Sequence, residues 1–412
     1  MTINPFTEVL KQKSFRNLWI SQILSQLTQN LVNYILILRV FEATKSSVAV
    51  SLVWTFYAIP AIIVGPFVGT FTDIYEKKRI LFLTTLAEAF IVFFYLLFWG
   101  HIWSIYTVIF IYSLVFQFYI PAEAAMLPST VNKKMLPLAN SLFLFTVYGT
   151  VLVGYSLAGP LIRVVGREVP FLISSLLFLI AAYSVSRLPN SPHVKRIEIK
   201  FEDFFERFRE GYSFLKKERR VLYPLLLMAM VQVIISLLSV LAPSFATDIL
   251  NADLLDAGLI LILPAGLGAV AAAFILIRLI PKQIRKKKIV TFGLFTLAGT
   301  FLAMSALIPL ITYGKVIIST FLVFMLGVGL VSVLLPVQTL IQETTPDEFR
   351  GRVFGVLGLL ITLASVLPML FAASLADVLG VGIIMGVLSA AVFVIAINSL
   401  REPYEIYNHH WA

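Results

Sequence analysis

Runs of about 20 apolar residues, separated by short polar turns, recur along nearly the whole chain. A helix of that length crosses the hydrocarbon core of a bilayer, whereas a soluble fold would leave so many apolar runs with nothing to pack against. The pattern predicts an all-α membrane protein with twelve transmembrane helices, near residues 18–38, 51–71, 80–98, 105–125, 138–162, 170–185, 223–245, 257–280, 289–308, 316–335, 353–375 and 381–397. Trp99 and Trp103 flank the predicted turn between spans 3 and 4, the depth at which interfacial aromatics concentrate.

Between spans 6 and 7 the pattern changes. Residues 189–220 are polar and charged, opening with Pro189, Asn190, Ser191 and Pro192. Within them Phe201, Phe204, Phe205, Phe208, Tyr212 and Leu215 fall on one helical stripe, with Glu202, Arg209, Lys216 and Lys217 off it. Such a helix lies flat on a membrane surface or packs under the ends of the spans. The stretches on either side echo each other. Pro60-Ala61 recurs as Pro264-Ala265, Lys77-Lys78-Arg79-Ile80 as Lys286-Lys287-Lys288-Ile289, and Arg163-Val164-Val165-Gly166 as Asp377-Val378-Leu379-Gly380. Three echoes in order predict two parallel six-helix repeats: an N-terminal half at 1–188, a linker at 189–220 and a C-terminal half at 221–412.

Composition sharpens this picture. The 412 residues are 59% hydrophobic and only 13% charged, with a mean hydropathy of +0.94, against about 25% charged in soluble domains. A net charge of +10 would suit a nucleic-acid partner, but its placement argues against one. With the amino terminus inside the cell, 27 of the 32 Lys and Arg fall on cytoplasmic segments, leaving Arg39, Lys45, Arg163, Arg167 and Lys315 outside. That asymmetry is the mark of membrane insertion and puts both termini in the cytoplasm. The absence of cysteine excludes a disulfide framework, a thiol nucleophile and a thiolate metal site. The first apolar run has the length of a full span and no small-residue cleavage site, so no cleavable signal is expected.

No enzyme constellation emerges. His101, His193, His409 and His410 lie in predicted loops or the tail, and no phosphate-binding G-x-x-x-x-G-K-[ST] is present. No catalytic residue, metal or cofactor is expected. What stands out are polar groups inside spans, which are costly there and mark interior surfaces. Gln22, Gln26, Gln29 and Asn33 form a single stripe on span 1, Gln232, Ser236 and Ser239 repeat the spacing on span 7, and Gln117 sits in span 4 beside Phe116 and Tyr119. These side chains either line a cavity or bond one helix to another. Glu88 is the one acid clearly at membrane depth, and Glu123 lies nearer the cytoplasmic end of span 4. With no Lys or Arg near mid-depth to pair with, Glu88 is costly to ionise, which suits a proton carrier or a neutral acid bonded to a neighbouring helix.

The stretch from Gly69 to Ile80 packs an acid and three cations between two apolar runs. Gly69, Asp73, Lys77 and Lys78 resemble the signature loop between spans 2 and 3 of the major facilitator superfamily; Ile74 and Glu76 depart from it. The segment Pro121 to Ser141, with Leu138-Ala139-Asn140-Ser141, and the segment Pro346 to Phe354, with Arg350-Gly351-Arg352, are similar to elbows of the superfamily's drug-exporter branch, which includes macrolide-efflux and enterobactin-exporter-like proteins.

That resemblance implies transport by alternating access, with spans 1, 4, 7 and 10 around a central cavity. It implies a substrate cavity at Gln22, Gln26, Gln29, Asn33, Gln117, Gln232 and Ser236, and a cytoplasmic gate at Gly69, Asp73, Lys77, Lys78, Arg79, Arg350, Gly351 and Arg352. Glu88 and Glu123 are then the proton-coupling candidates. The expected activity is export of neutral or cationic amphiphilic small molecules from a bacterial inner membrane, coupled to proton entry, by a monomer in contact with membrane lipids. A siderophore exporter or lysophospholipid flippase of the same fold, and a transporter-like sensor that moves nothing, are the alternatives.

Overall fold

A computed structural model describes residues 5–98, 101–190, 219–279, 286–345 and 347–401; at some positions, among them Gly69, Asp73 and 347–361, it describes the helical backbone alone. Among the described residues the secondary structure is helical throughout. Fourteen α-helices are found: α1 (Pro5–Lys11), α2 (Lys13–Thr44), α3 (Ser47–Ile63), α4 (Gly65–Ile74), α5 (Lys77–Phe98), α6 (Ile102–Met126), α7 (Leu136–Val165), α8 (Val169–Ser186), α9 (Arg219–Ser244), α10 (Leu263–Leu279), α11 (Lys286–Leu302), α12 (Lys315–Thr344), α13 (Asp347–Leu379) and α14 (Val381–Arg401). Every apolar run read from the sequence overlaps one or more of these helices over its described residues. Nine helical segments of the described chain are long and apolar enough by themselves to cross a membrane. The protein is a multi-pass membrane protein.

Two expectations change in detail. The second span is two helices, α3 and α4, broken at Val64. Pro60 lies inside α3, and a proline occupies the first turn of α4, where its missing N–H costs nothing. The elbow after this span is also shorter than the sequence suggests. Helix α4 runs through Gly69 and Asp73 to Ile74, and α5 starts at Lys77, leaving only Tyr75 and Glu76 as the turn.

The chain forms two compact units: Met1–Val40 with Leu52–Ile199, and Phe41–Ser51 with Lys200–Ala412. Each is held by the same device repeated. In the N-terminal unit the Ser175 hydroxyl of α8 donates to the Ala89 carbonyl of α5 at 2.9 Å. In the C-terminal unit Ser389 of α14 donates to the Ala298 carbonyl of α11 at 2.8 Å. Lys78 Nζ donates to Asn190 Oδ1 at 3.2 Å, and Lys287 Nζ to the Leu400 carbonyl at 2.9 Å. Helices α7 and α13 both stop at a glycine of positive φ, Gly166 at 84° and Gly380 at 88°, whose amide bonds the carbonyl four residues back, Ile162 or Ala376. The sequence echoes are therefore echoes of packing.

The C-terminal unit buries a core that includes Val231, Leu241, Phe245, Leu297, Phe301 and Val337. Its α10 and α12 approach through glycines: a Cβ on Gly327 would lie 1.9 Å from the Ala265 carbonyl oxygen, closer than any side chain can come. In the N-terminal unit a core cluster of Phe15, Leu18, Phe116, Tyr119 and Phe143 joins α2, α6 and α7.

Candidate functional site

Inside the N-terminal unit, α5 and α6 carry a cluster of acids and tyrosines. Glu88 is 1% exposed, and its Oε1 has no hydrogen-bond partner among the described residues. Glu123, on the last turns of α6, is buried too, but Tyr119 one turn earlier donates its hydroxyl to Glu123 Oε1 at 2.6 Å. The two carboxyls are near enough for their charges to interact. Tyr112, also buried on α6, has a hydroxyl without a hydrogen-bond partner among the described residues. Two buried acids whose charges interact are costly to ionise together.

The repeat shows that this chemistry is not demanded by the fold. The register that matches Ala89 with Ala298 and Lys78 with Lys287 matches Glu88 with Leu297. Leu297 is fully buried in the core of its own unit. One repeat packs this position with a hydrocarbon and the other with an acid.

The span-1 amides divide into two groups. Gln22 and Gln29 are buried: Gln22 Nε2 donates to the Phe143 carbonyl at 3.4 Å and Gln29 Nε2 to Tyr57 Oη at 2.6 Å. Gln26 and Asn33 are half-buried on the same helix. Asn30, off the stripe, donates to Thr150 Oγ1 at 3.4 Å. Gln117 is half-buried and turns back along α6 to the Ser113 carbonyl at 3.3 Å; Ser113 Oγ in turn donates to the Tyr57 carbonyl at 2.5 Å. The amides of α2 and α6 are therefore linked through Tyr57 and Ser113. In the C-terminal unit Gln232, Ser236 and Ser239 are half-buried along α9, and both serine hydroxyls bond carbonyls of their own helix.

At the elbow, Lys77 is buried and Lys78 reaches Asn190. Gly69 and Asp73 lie on α4, and Arg350, Gly351 and Arg352 on α13; the side-chain contacts expected between Asp73 and Arg350 or Arg352 lie outside the described residues, as does the amphipathic stripe of the linker. Among the described residues no group of His, Cys, Asp and Glu is arranged to hold a metal ion. The sequence reading missed Tyr119 as the partner of Glu123. A tyrosine four residues before an acid on one helix shares its face, and that spacing was available.

A family model described as Major Facilitator Superfamily matches residues 18–368. The chain is 26% identical over 402 residues to the uncharacterized MFS-type transporter YfiS of Bacillus subtilis (strain 168), covering 94% of this chain and 93% of that one. It is 23% identical over 404 residues to macrolide efflux protein A of Streptococcus pyogenes, covering 94% and 96%. Among solved structures it resembles a bacterial homologue of the human lysosomal transporter Spinster (TM-score 0.73, 11% identity, 100% of both chains). It also resembles the nucleoside transporter NupG (TM-score 0.72, 11% identity, 96% and 99%). The buried polar residues of both units thus sit on a transporter fold, and the chain belongs to the major facilitator superfamily.

Proposed function

We propose that this protein exports amphiphilic small molecules from a bacterial cell across the inner membrane, by alternating access of its two units and in exchange for protons. The observation that carries the reading is the buried Glu88, whose Oε1 has no hydrogen-bond partner among the described residues, beside the Tyr119–Glu123 pair. An acid kept in such a place costs several kcal/mol whenever it is ionised. The matching position of the other repeat is a leucine, so the acid serves something other than packing. In this reading Glu88 takes a proton when it faces outward and passes it inward, with Glu123 and Tyr119 as the second station. Alternating access supplies the water that each transfer needs.

The cargo reading rests on the character of the polar residues. Amides such as Gln26, Asn33, Gln117 and Gln232, with no cation near mid-depth, suit neutral or cationic amphiphiles and disfavour strongly anionic ones. The relative named for macrolide efflux supports a drug-like cargo. The unit boundaries at 188 and 221, cytoplasmic termini, a monomeric state and a gate built on Asp73 with Arg350 and Arg352 belong to the same proposal. Efflux of erythromycin and of ethidium in a pump-deficient host, with and without a protonophore, tests it. Export of either compound that stops when the proton gradient is dissipated is the expected result. Retention of both, or export indifferent to the protonophore, contradicts it.

A further inference from the structure

Asp377, near the end of α13, gathers three hydrogen bonds from one short stretch of chain. Its Oδ2 accepts from the Ser46 hydroxyl at 2.5 Å and the Val48 amide at 3.1 Å, and its Oδ1 from the Ser47 amide at 2.7 Å. Helix α3 starts at Ser47, so two of these donors are first-turn amides, which have no acceptor within their own helix. Normally the residue just before a helix supplies that acceptor. Ser46 does so for the Ala49 amide at 3.3 Å, while its own hydroxyl donates a hydrogen bond to Asp377. The cap of α3 is thus shared with a carboxylate more than three hundred residues away in sequence. Deeper in the same contact, Ser47 Oγ and Ser244 Oγ lie 2.7 Å apart, both buried.

Two further observations bear on what this contact is for. The segment Phe41–Ser51 is packed with the C-terminal unit, although Val40 before it and Leu52 after it belong to the N-terminal unit. And Asp377 stands where the first repeat has Arg163, both three residues before the positive-φ glycine that ends the helix. Only the anionic version can accept from the amides that open a helix. The second repeat has therefore replaced a cation by the charge that holds this segment.

We infer that Asp377 is a releasable clasp, which keeps segment 41–51 on the C-terminal unit in the state seen here and lets it go in another state of the transporter. Asp377 is exposed and Ser46 and Val48 are half-buried, so water replaces each bond when the clasp opens. A charge-assisted cap of this kind is strong enough to bias a two-state equilibrium and weak enough to be reversed. The inference depends on neither the cargo nor the coupling ion.

The chain has no cysteine, so single reporters can be read without background. Val50 lies in the segment and is fully buried. Labelling of Val50→Cys by a maleimide is measured in detergent-purified protein, alone and combined with Asp377→Asn or Asp377→Ala. Ala181→Cys, a fully buried site in α8, reports general loosening. The expected result is labelling of Val50→Cys faster by about 5- to 30-fold with either Asp377 substitution, the change produced by losing one to two kcal/mol of bias, with Ala181→Cys unchanged. Equal rates with and without Asp377 overturn the clasp. So does an equal rise at Ala181→Cys, because it reports unfolding rather than release.

Discussion

Tyr119 donates its hydroxyl to Glu123 across 2.6 Å, one turn along the same buried helix. A neutral donor facing an acid stabilises the acid most when it carries charge, and such bonds are worth about 1.5–3 kcal/mol where water is scarce. Glu88 has no such partner on its Oε1. The two acids of the N-terminal unit are thus unequal in their partners.

Tyr119→Phe removes that one hydroxyl and little else. It is expected to insert normally, to bind cargo as the parent does, and to slow proton-driven transport about tenfold or more, given the strength of the lost bond. Cargo-binding affinity and transport rate measured side by side check this. An unchanged rate would leave the Tyr119–Glu123 bond a purely structural contact.

Glu88→Leu copies the residue that the other repeat places at this register. No hydrogen bond to Oε1 is lost, and an unpartnered buried polar group is replaced by hydrocarbon, a change that is neutral or stabilising. The variant is expected to melt at or above the parent temperature in detergent while losing proton-coupled transport. A large fall in melting temperature would mean that the acid is needed for packing.

The Asp377 clasp sets its own pH range. Burial works to raise the carboxyl of Asp377, but the donors at Ser46, Ser47 and Val48 outweigh it and hold the group below its ordinary value of 3.8. A lowered value means that the stabilisation is complete above the ordinary value and is lost only as the pH falls through the lowered one. Labelling of Val50→Cys, corrected for the reagent's own pH dependence, is therefore expected to stay flat from about pH 8 to about pH 5. A steep rise inside that range would assign the control to another group.

How much of this was legible beforehand follows from what sequence patterns record. The spans were readable because bilayer thickness imposes a length on each apolar run. The repeats were readable because helix ends and close contacts constrain small, local sets of residues, such as Gly166 and Gly380. The break at Val64 was not read, since apolar residues on both sides hide it and only Pro60 hints at it. Nor was the role of Asp377, which the sequence shows merely as the odd member of an echo. Its partners at 46–48 are brought to it by folding alone. The amides of span 1 were legible as a polar stripe, but whether each one faces a helix or an opening depends on neighbours. Gln22 and Gln29 each donate to a partner within their unit, whereas Gln26 and Asn33 keep partial exposure.

The most direct test of proton coupling is uphill transport by Glu88→Gln, which keeps size and hydrogen-bonding capacity but cannot titrate. Ethidium or erythromycin accumulation is followed in inside-out membrane vesicles acidified within, for parent and variant. The account predicts that the variant equilibrates cargo downhill but does not accumulate it in response to the pH gradient. Accumulation at the parent rate, with the same dependence on pH, would contradict it and make Glu88 a structural residue.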